Sequence, residues 1–250
     1  MNEREYHDQH YEAEAARVLG TPVFERVHDR VARQFLRATR AGKAHRVLSL
    51  GCGDGAIERR FAPYVGEIVG IDVSAVGIRR AQEQCAIAGL GNISFHVGDA
   101  AQLAKQAFGR FDIVAAFAFL HHLPDHAIAE TLTAARDNLR PGGVFYSADP
   151  NRRRAIGLFA GCVRKTYERY HSPDERELDP GLLAALALRS GFAAAEIGYV
   201  DFFLGPVAWL APGTPRALAP ALVAADNLLL GVPLVRNFAS SFSLLARSPS

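Results

Sequence analysis

A glycine turn and a distant acidic residue have the types and spacing of a site for a nucleotide-like ligand. Gly51, Gly53 and Gly55 directly follow an apolar run at residues 47–50. Glycines there allow a tight turn and close approach of the backbone to a ligand, and the free N–H groups of a following helix bind anions. Asp72 comes 21 residues after Gly51, a spacing typical of a carboxylate that binds ribose hydroxyls. Alone, the glycine motif also fits an ordinary turn between a strand and a helix.

Asp99 is a third candidate for contact with the ligand. Asp99 and Asp72 each also have an alternative interpretation. Asp99 follows a third apolar run, where its carboxylate could accept a hydrogen bond from an exocyclic amine such as that of adenine. By itself it is also a common kind of turn residue, and Asp72 could instead cap the next helix. Ser74 is better placed for that cap. Such features at the ends of three successive apolar runs favour one shared site.

His121 and His122 are the candidates for acid–base chemistry. They follow a fourth apolar run, and an imidazole titrates near neutral pH, so either side chain could act as a general base. The alternative is a structural pair that caps the helix beginning at Pro124 or contacts the bound ligand.

The order of predicted elements places these residues at one edge of a sheet. Strands are predicted at residues 47–50, 67–71, 93–97, 111–119, 144–148, 194–203 and 238–246. Helices are predicted at 56–62, 74–88, from Pro124 to the turn at 140–143, at 161–169 and at 178–190. Strands that alternate with such helices form βαβ units with right-handed crossovers. We therefore predict an α/β fold with a Rossmann-like, doubly wound, mostly parallel seven-stranded sheet, helices on both faces and lid insertions.

Composition argues against several other classes of protein. The net charge of +2 gives no basic footprint for a nucleic acid. Cys52, Cys85 and Cys162 are far apart, which argues against disulfides and a metal site and fits a cytoplasmic protein. Residues 1–16 lack the apolar region of a secretory signal. Residues 202–235 are apolar, but five prolines interrupt them, so no membrane span is predicted. Contact of this segment with a membrane surface is a weaker alternative, since it lacks a clear basic flank.

Five motifs resemble those of class I S-adenosylmethionine-dependent methyltransferases. They are VLSLGCGDG at 47–55, IVGIDVS at 68–74, VGDA at 97–100, FDIVAAFAFLHHLPD at 111–125 and LRPGGVFYSADP at 139–150. The resemblance covers residues 44–200 and is nearest to quinone-biosynthesis C-methyltransferases and natural-product methyltransferases. It implies methyl transfer from S-adenosylmethionine to a small, apolar, aromatic or isoprenoid acceptor.

The resemblance also implies a cofactor-binding residue for each part of S-adenosylmethionine. The glycines with Cys52 would surround the methionine part, Asp72 with Val73 the ribose, and Asp99 with Ala100 the adenine, while Ala116 and Phe117 would lie under the sulfonium. Tyr11, in a polar N-terminal segment, would close over the cofactor unless that segment is simply a disordered terminus.

Ser49 departs from the family pattern, because relatives usually carry an acid two residues before the first glycine. Serine keeps a hydrogen-bond acceptor but loses the charge, so cofactor affinity or geometry could differ. This departure keeps open a non-catalytic module that binds S-adenosylmethionine. A nicotinamide-dependent oxidoreductase is a further alternative, although GCGDG lacks the spaced third glycine of GxGxxG.

We expect a single methyltransferase domain over residues 1–250, as a monomer or homodimer. Its predicted parts are an N-terminal helical cap at 1–43, a cofactor-binding core at 44–150, and substrate-side insertions at 151–180 and 204–236. Aromatic and apolar side chains there could line an acceptor pocket, or pack a lid or a dimer contact: Tyr167, Tyr170, His171, Phe202, Phe203, Trp209 and Leu210.

Overall fold

A seven-stranded sheet forms the centre of the protein. The computed structural model describes residues 20–100, 108–155 and 175–250. The strands are β1 (Arg46–Leu50), β2 (Glu67–Asp72), β3 (Ile93–Val97), β4 (Phe111–Phe117), β5 (Leu139–Pro150), β6 (Ala194–Asp201) and β7 (Ser241–Arg247). Their order in the sheet is β3-β2-β1-β4-β5-β7-β6. The first five are parallel, and β7 is antiparallel to both β5 and β6, which confirms the predicted mostly parallel, doubly wound sheet.

The strand order reverses between β1 and β4. The chain runs outward from β1 through β2 to β3 and then returns to place β4 on the other side of β1, with Leu50 paired with Ala116. A crevice opens beyond the carboxyl ends of the strands at such a reversal, and ligands bind there in open α/β sheets. The glycine turn that follows β1 lies directly at this crevice.

Alternate residues of the strands pack against helices on opposite faces. Leu48 and Leu50 belong to a core cluster with Leu132 and Leu183, whereas Val47 belongs to a second cluster with helix residues such as Phe35. Strands buried on both faces are typical of parallel sheets, and they explain the nearly continuous apolar runs in the sequence.

The helices of the described residues cover these faces and begin or end at recognisable signals. They are α1 (Pro22–Thr39), α2 (Glu58–Phe61), α3 (Ala75–Ala88), α4 (Asp125–Asn138), α5 (Pro180–Arg189), α6 (Leu204–Leu210) and α7 (Ala219–Leu230). Ser74 caps α3 as predicted, since its Oγ accepts a hydrogen bond from the Gly77 N–H at 3.0 Å. Gly89 ends this helix in the left-handed conformation, at φ 65°.

Several predicted boundaries differ from the structure. The helix predicted at 56–62 is α for only four residues and continues as a 3₁₀ turn, Ala62–Tyr64, that contains Pro63. Strand β4 ends at Phe117 rather than at residue 119, because Ala118 adopts φ 47° and turns the chain. The helix predicted at 178–190 begins at Pro180, after the capping residue Asp179.

The later strands also differ in their ends, and β5 differs most. It begins at Leu139 instead of 144, because Leu139 already pairs with Phe111 before the register shifts. The strands predicted at 194–203 and 238–246 are Ala194–Asp201 and Ser241–Arg247. The helix predicted at 161–169 lies outside the described residues.

The apolar segment at 202–235 folds as α6 and α7, which lie beside α1. Val23 and Phe24 of α1 form a buried cluster with Leu204 and Ala208 of α6. Among the described residues, no helix combines the length and the apolar character that crossing a membrane requires. Five large apolar side chains around α7 are exposed: Leu218, Leu228, Val232, Leu234 and Phe238.

Candidate active site

The glycine turn after β1 requires its glycines. Gly51, Gly53 and Gly55 all adopt positive φ, at 63°, 53° and 69°. A Cβ on Gly51 would lie 2.2 Å from Cδ2 of Phe119, and a Cβ on Gly55 would lie 2.4 Å from Cζ of Phe95. Any larger residue would therefore combine backbone strain with a steric clash. The rings of Phe119 and Phe95 fill the space that these side chains would need, so packing as well as backbone conformation requires glycine here.

Asp72 connects the end of β2 to this turn. Its Oδ2 accepts a hydrogen bond from the Gly53 N–H at 2.8 Å, and its Oδ1 accepts one from the Ser74 N–H at 2.8 Å. The helix α3 is capped by Ser74 and not by Asp72, the alternative considered for this residue. The carboxylate of Asp72 thus connects the end of β2 to the turn after β1. Asp72 and Val73 are half-buried at the crevice. This location is consistent with ribose binding, which stays a prediction.

Asp99 and Ala100 follow β3 on the same edge of the sheet. The Gly98 N–H donates to the Asp72 carbonyl at 2.9 Å, so the ends of β2 and β3 are adjacent. Asp99 is exposed and Ala100 is buried. Adenine binding by these two residues stays a prediction.

Ala116 and Phe117 end β4 beside the glycine turn, and both are buried. The ring of Phe117 packs against α1 and β5, with its centroid 5.4 Å from that of Phe35 and 6.0 Å from that of Tyr146. The side chain of Phe117 is therefore part of the core. At this end of β4, mainly backbone atoms could contact a ligand.

Two further carboxylates near the site were not anticipated from the sequence. Glu58 lies behind the glycine turn and accepts a hydrogen bond from the Ser49 Oγ at 2.6 Å. Asp149, near the end of β5, is buried and lies 3.2 Å, measured from its Oδ1, from Nδ1 of His121. The motif LRPGGVFYSADP contained Asp149, but nothing in its spacing indicated a histidine partner.

His121 is held by Asp149 through two contacts. Besides the ring contact, Asp149 Oδ1 accepts from the His121 backbone N–H at 3.3 Å. His121 is 6% exposed and Asp149 is 2% exposed. Within the described part of the chain, the second oxygen of Asp149 is buried and accepts no hydrogen bond. A buried aspartate beside an imidazole fixes the ring orientation and stabilises its protonated form.

His122 lies beside a segment from far along the chain. Its Nδ1 is 3.5 Å from Oε1 of Glu175, and its ring centroid is 4.1 Å from that of His121. The Arg176 N–H donates to the His121 carbonyl at 3.1 Å, which fixes this segment against the histidines. One potential ligand atom from each of His121, His122 and Glu175 lies within 4.8 Å of the others, so the three could also hold a metal ion.

The aromatic residues proposed for an acceptor pocket are only partly placed. Phe202 is buried, while Phe203 is 42% exposed. Trp209 packs edge-on against Phe24, with ring centroids 4.7 Å apart, and so joins α6 to α1. Tyr11, Tyr167, Tyr170 and His171 lie outside the described residues. The role of the aromatic residues in an acceptor pocket, a lid or a dimer contact stays a prediction.

The sheet reversal, the glycine turn and the carboxylates at successive strand ends define an α/β enzyme that binds a nucleoside-containing cofactor. A family model described as "Methyltransferase domain" matches residues 47–143. The ubiquinone biosynthesis O-methyltransferase of Aromatoleum aromaticum is 31% identical over 161 residues, which are 63% of this chain and 67% of that protein. "Probable methyltransferase ltbC" of Aspergillus luteorubrus is 29% identical over 211 residues, 78% of this chain and 73% of that one. The chain belongs to the S-adenosylmethionine-dependent methyltransferases.

A solved structure shares the fold. Magnesium protoporphyrin IX methyltransferase from Synechocystis PCC 6803, with bound SAH, has a TM-score of 0.64 at 16% identity and covers 98% of this chain and 97% of its own. The predicted family, enzyme class and cofactor are thus confirmed, in preference to a nicotinamide cofactor. The structure fits this cofactor, because the glycine turn lies at the reversal of the sheet, where such ligands bind, and Asp72 lies at the next strand end.

Proposed function

We propose that this methyltransferase transfers a methyl group to a hydroxyl oxygen of a small, largely apolar aromatic or isoprenoid acceptor, and that His121 removes the hydroxyl proton. The observation that carries this proposal is the pair formed by His121 Nδ1 and Asp149 Oδ1, 3.2 Å apart. An imidazole oriented by a buried carboxylate is suited to accept a proton at its other nitrogen.

The pair lies close to the glycine turn. Phe119 is the residue that a Cβ on Gly51 would strike, and His121 follows it by two positions in the 3₁₀ turn Leu120–His122. Asp149 comes from the neighbouring strand β5, where it follows Ala148, the partner of Phe117. A base at the carboxyl ends of β4 and β5 is therefore next to the crevice that receives the cofactor.

Methyl transfer to a hydroxyl requires positioning, exclusion of water and loss of one proton. S-adenosylmethionine supplies a methyl group already activated on a sulfonium. With the cofactor held at the glycine turn, His121 would accept the hydroxyl proton of the acceptor as its oxygen is methylated. Asp149 stabilises the resulting imidazolium, so the proton has a defined destination.

The acceptor class is supported by the relatives and by the apolar surroundings. One relative is named as a ubiquinone biosynthesis O-methyltransferase. Trp209, in the segment proposed as an insertion, packs beside α1, and Phe203, which directly precedes that segment, is 42% exposed, so both provide aromatic surface. The net charge of +2 supports a small molecule rather than a nucleic acid.

A release assay for S-adenosylhomocysteine tests the proposal. Phenols and catechols with and without an isoprenoid chain are compared with the same compounds whose hydroxyl is already methylated. We expect release with the free hydroxyl compounds and none with their methyl ethers. A methylated product that keeps all its hydroxyl groups, detected by mass spectrometry, would show transfer to carbon and contradict the proposal. If chelation abolished turnover and a divalent cation restored it, the proposed histidine base would be wrong, and a metal ion would activate the acceptor hydroxyl instead.

A further inference from the structure

A buried hydrogen bond lies directly behind the glycine turn. Ser49, on β1, has no exposed surface, and its Oγ donates to Oε1 of Glu58 at 2.6 Å. Ser49 precedes the turn and Glu58, the first residue of α2, follows it. The hydroxyl therefore holds the carboxylate at a fixed place behind the cofactor-binding turn.

Glu58 makes no close ion pair among the described residues, although the charge of Arg59 acts on it and opposes the rise of its pKa. Glu58 is 2% exposed, and the ion pairs of the described residues, taken at nitrogen–oxygen distances up to 4.0 Å, do not include it. The neighbouring Arg59 donates to the Asp54 carbonyl instead. Burial raises the pKa of Glu58 to about 7, against the opposing effect of the Ser49 hydrogen bond. A buried carboxylate of this kind is stabilised when a cation binds nearby.

The turn itself lies between two carboxylates. Burial, and then the charges of Asp72, Glu58 and Asp54, raise the pKa of the Cys52 thiol at the centre of the turn. Asp72 reaches the turn through the Gly53 N–H, and Glu58 approaches it from the side of α2. The electrostatic field at the turn thus favours a positive group on a ligand.

S-adenosylmethionine carries such a group, the ammonium of its methionine part. We propose that Glu58 provides the negative charge that favours binding of this ammonium, and that Ser49 is the positioning residue that holds Glu58. The inference concerns the cofactor and is independent of the proposed acceptor. It also explains the serine at position 49. Relatives usually carry an acid at this position of β1, and here Glu58, which Ser49 binds, would supply the negative charge.

Paired ligands separate an effect on the amino-acid part of the cofactor from an effect on the whole turn. S-adenosylhomocysteine has the ammonium, whereas methylthioadenosine lacks the whole amino-acid part. By calorimetry at pH 8, we expect Glu58→Gln to weaken S-adenosylhomocysteine about 10-fold and methylthioadenosine less than about 2-fold. Glu67→Gln is the matched control, since Glu67 pairs with Arg46 at the start of β2, and we expect it to change neither affinity. Equal weakening of both ligands by Glu58→Gln, or no weakening, would overturn the inference.

A second measurement needs no variant. From pH 8 to pH 6 Glu58 becomes protonated, so the wild-type preference for S-adenosylhomocysteine over methylthioadenosine should fall about 5-fold or more. Asp54, Arg59, Cys52 and Cys85 are other titratable groups whose charges interact with Glu58, and Asp72 lies at the turn. The double variant Ser49→Asp with Glu58→Gln, which moves the acid to β1, should restore the preference at pH 8. A preference that is independent of pH in the wild type would contradict the inference, while binding of methylthioadenosine would still support the cofactor assignment.

Discussion

The cofactor side and the histidine side of the crevice are built from different kinds of groups. On the cofactor side, the groups are the backbone of a turn whose glycines have positive φ and the Asp72 carboxylate, which accepts from the N–H groups of Gly53 and Ser74. On the histidine side, the groups are titratable side chains from three separate segments: His121, Asp149 and Glu175. One side depends on backbone shape, and the other depends on how distant side chains meet.

This difference determines how each side should respond to substitution. A backbone site loses only part of its affinity when a nearby charge is removed, but it fails when a side chain enters the turn. A site made of side chains keeps its shape when one group is replaced and loses only the chemistry of that group. Cofactor affinity and turnover should therefore separate cleanly between the two sides.

The largest effect is expected from Gly51→Ala. The substitution adds a Cβ at φ 63°, 2.2 Å from the Phe119 ring. We expect the affinity for S-adenosylhomocysteine, measured by calorimetry, to fall at least about 100-fold, because both the turn and Phe119 must move.

Gly89→Ala is the matched control for backbone strain. Gly89 has φ 65°, but nothing lies within 4 Å of its Cβ position. We expect this variant to lose about 1 kcal/mol of unfolding free energy and to keep the wild-type affinity. If Gly51→Ala bound S-adenosylhomocysteine within about a factor of three of the wild-type affinity, the proposal that this turn binds the cofactor would be wrong.

A smaller effect, on turnover only, is expected from His121→Ala. Removing the base should lower kcat by about 100-fold and leave the Kd for S-adenosylhomocysteine unchanged. Asp149→Asn keeps an oxygen for the ring contact but loses the charge, so its kcat should fall less, by about 10-fold. The control is His126→Ala, since His126 is exposed on α4. A loss of affinity as large as the loss of kcat would favour the purely structural interpretation of His121.

The cofactor side was largely predictable because its signals are local. Gly51, Gly53, Gly55 and Asp72 follow predicted strands, and parallel strands bring their carboxyl ends to one edge. The cap at Ser74 likewise depends on a few neighbouring residues. Such patterns can be recognised from neighbouring residues alone, without knowledge of the tertiary structure.

The histidine side was only half predictable. His121 and His122 follow β4, so their place at the crevice could be predicted, but their partners depend on tertiary structure. Asp149 reaches His121 because β5 lies beside β4, and Glu175 reaches His122 through the contacts of Arg176. The partnership of Ser49 with Glu58 was missed for a related reason, since α2 is short and irregular where a longer helix was predicted.

The smallest of these effects is expected from Trp209→Ala, which extends the comparison to α6. Trp209 packs edge-on against Phe24 and holds α6 on α1. Its loss should loosen the surface that we propose for the acceptor, so the KM for the acceptor should rise about 10-fold while the cofactor Kd stays unchanged. Leu228→Ala is the control, because Leu228 is 73% exposed and its truncation should change neither constant. If Trp209→Ala changed the cofactor Kd and the acceptor KM alike, α6 would support the whole crevice, and the division into two independent sides would fail.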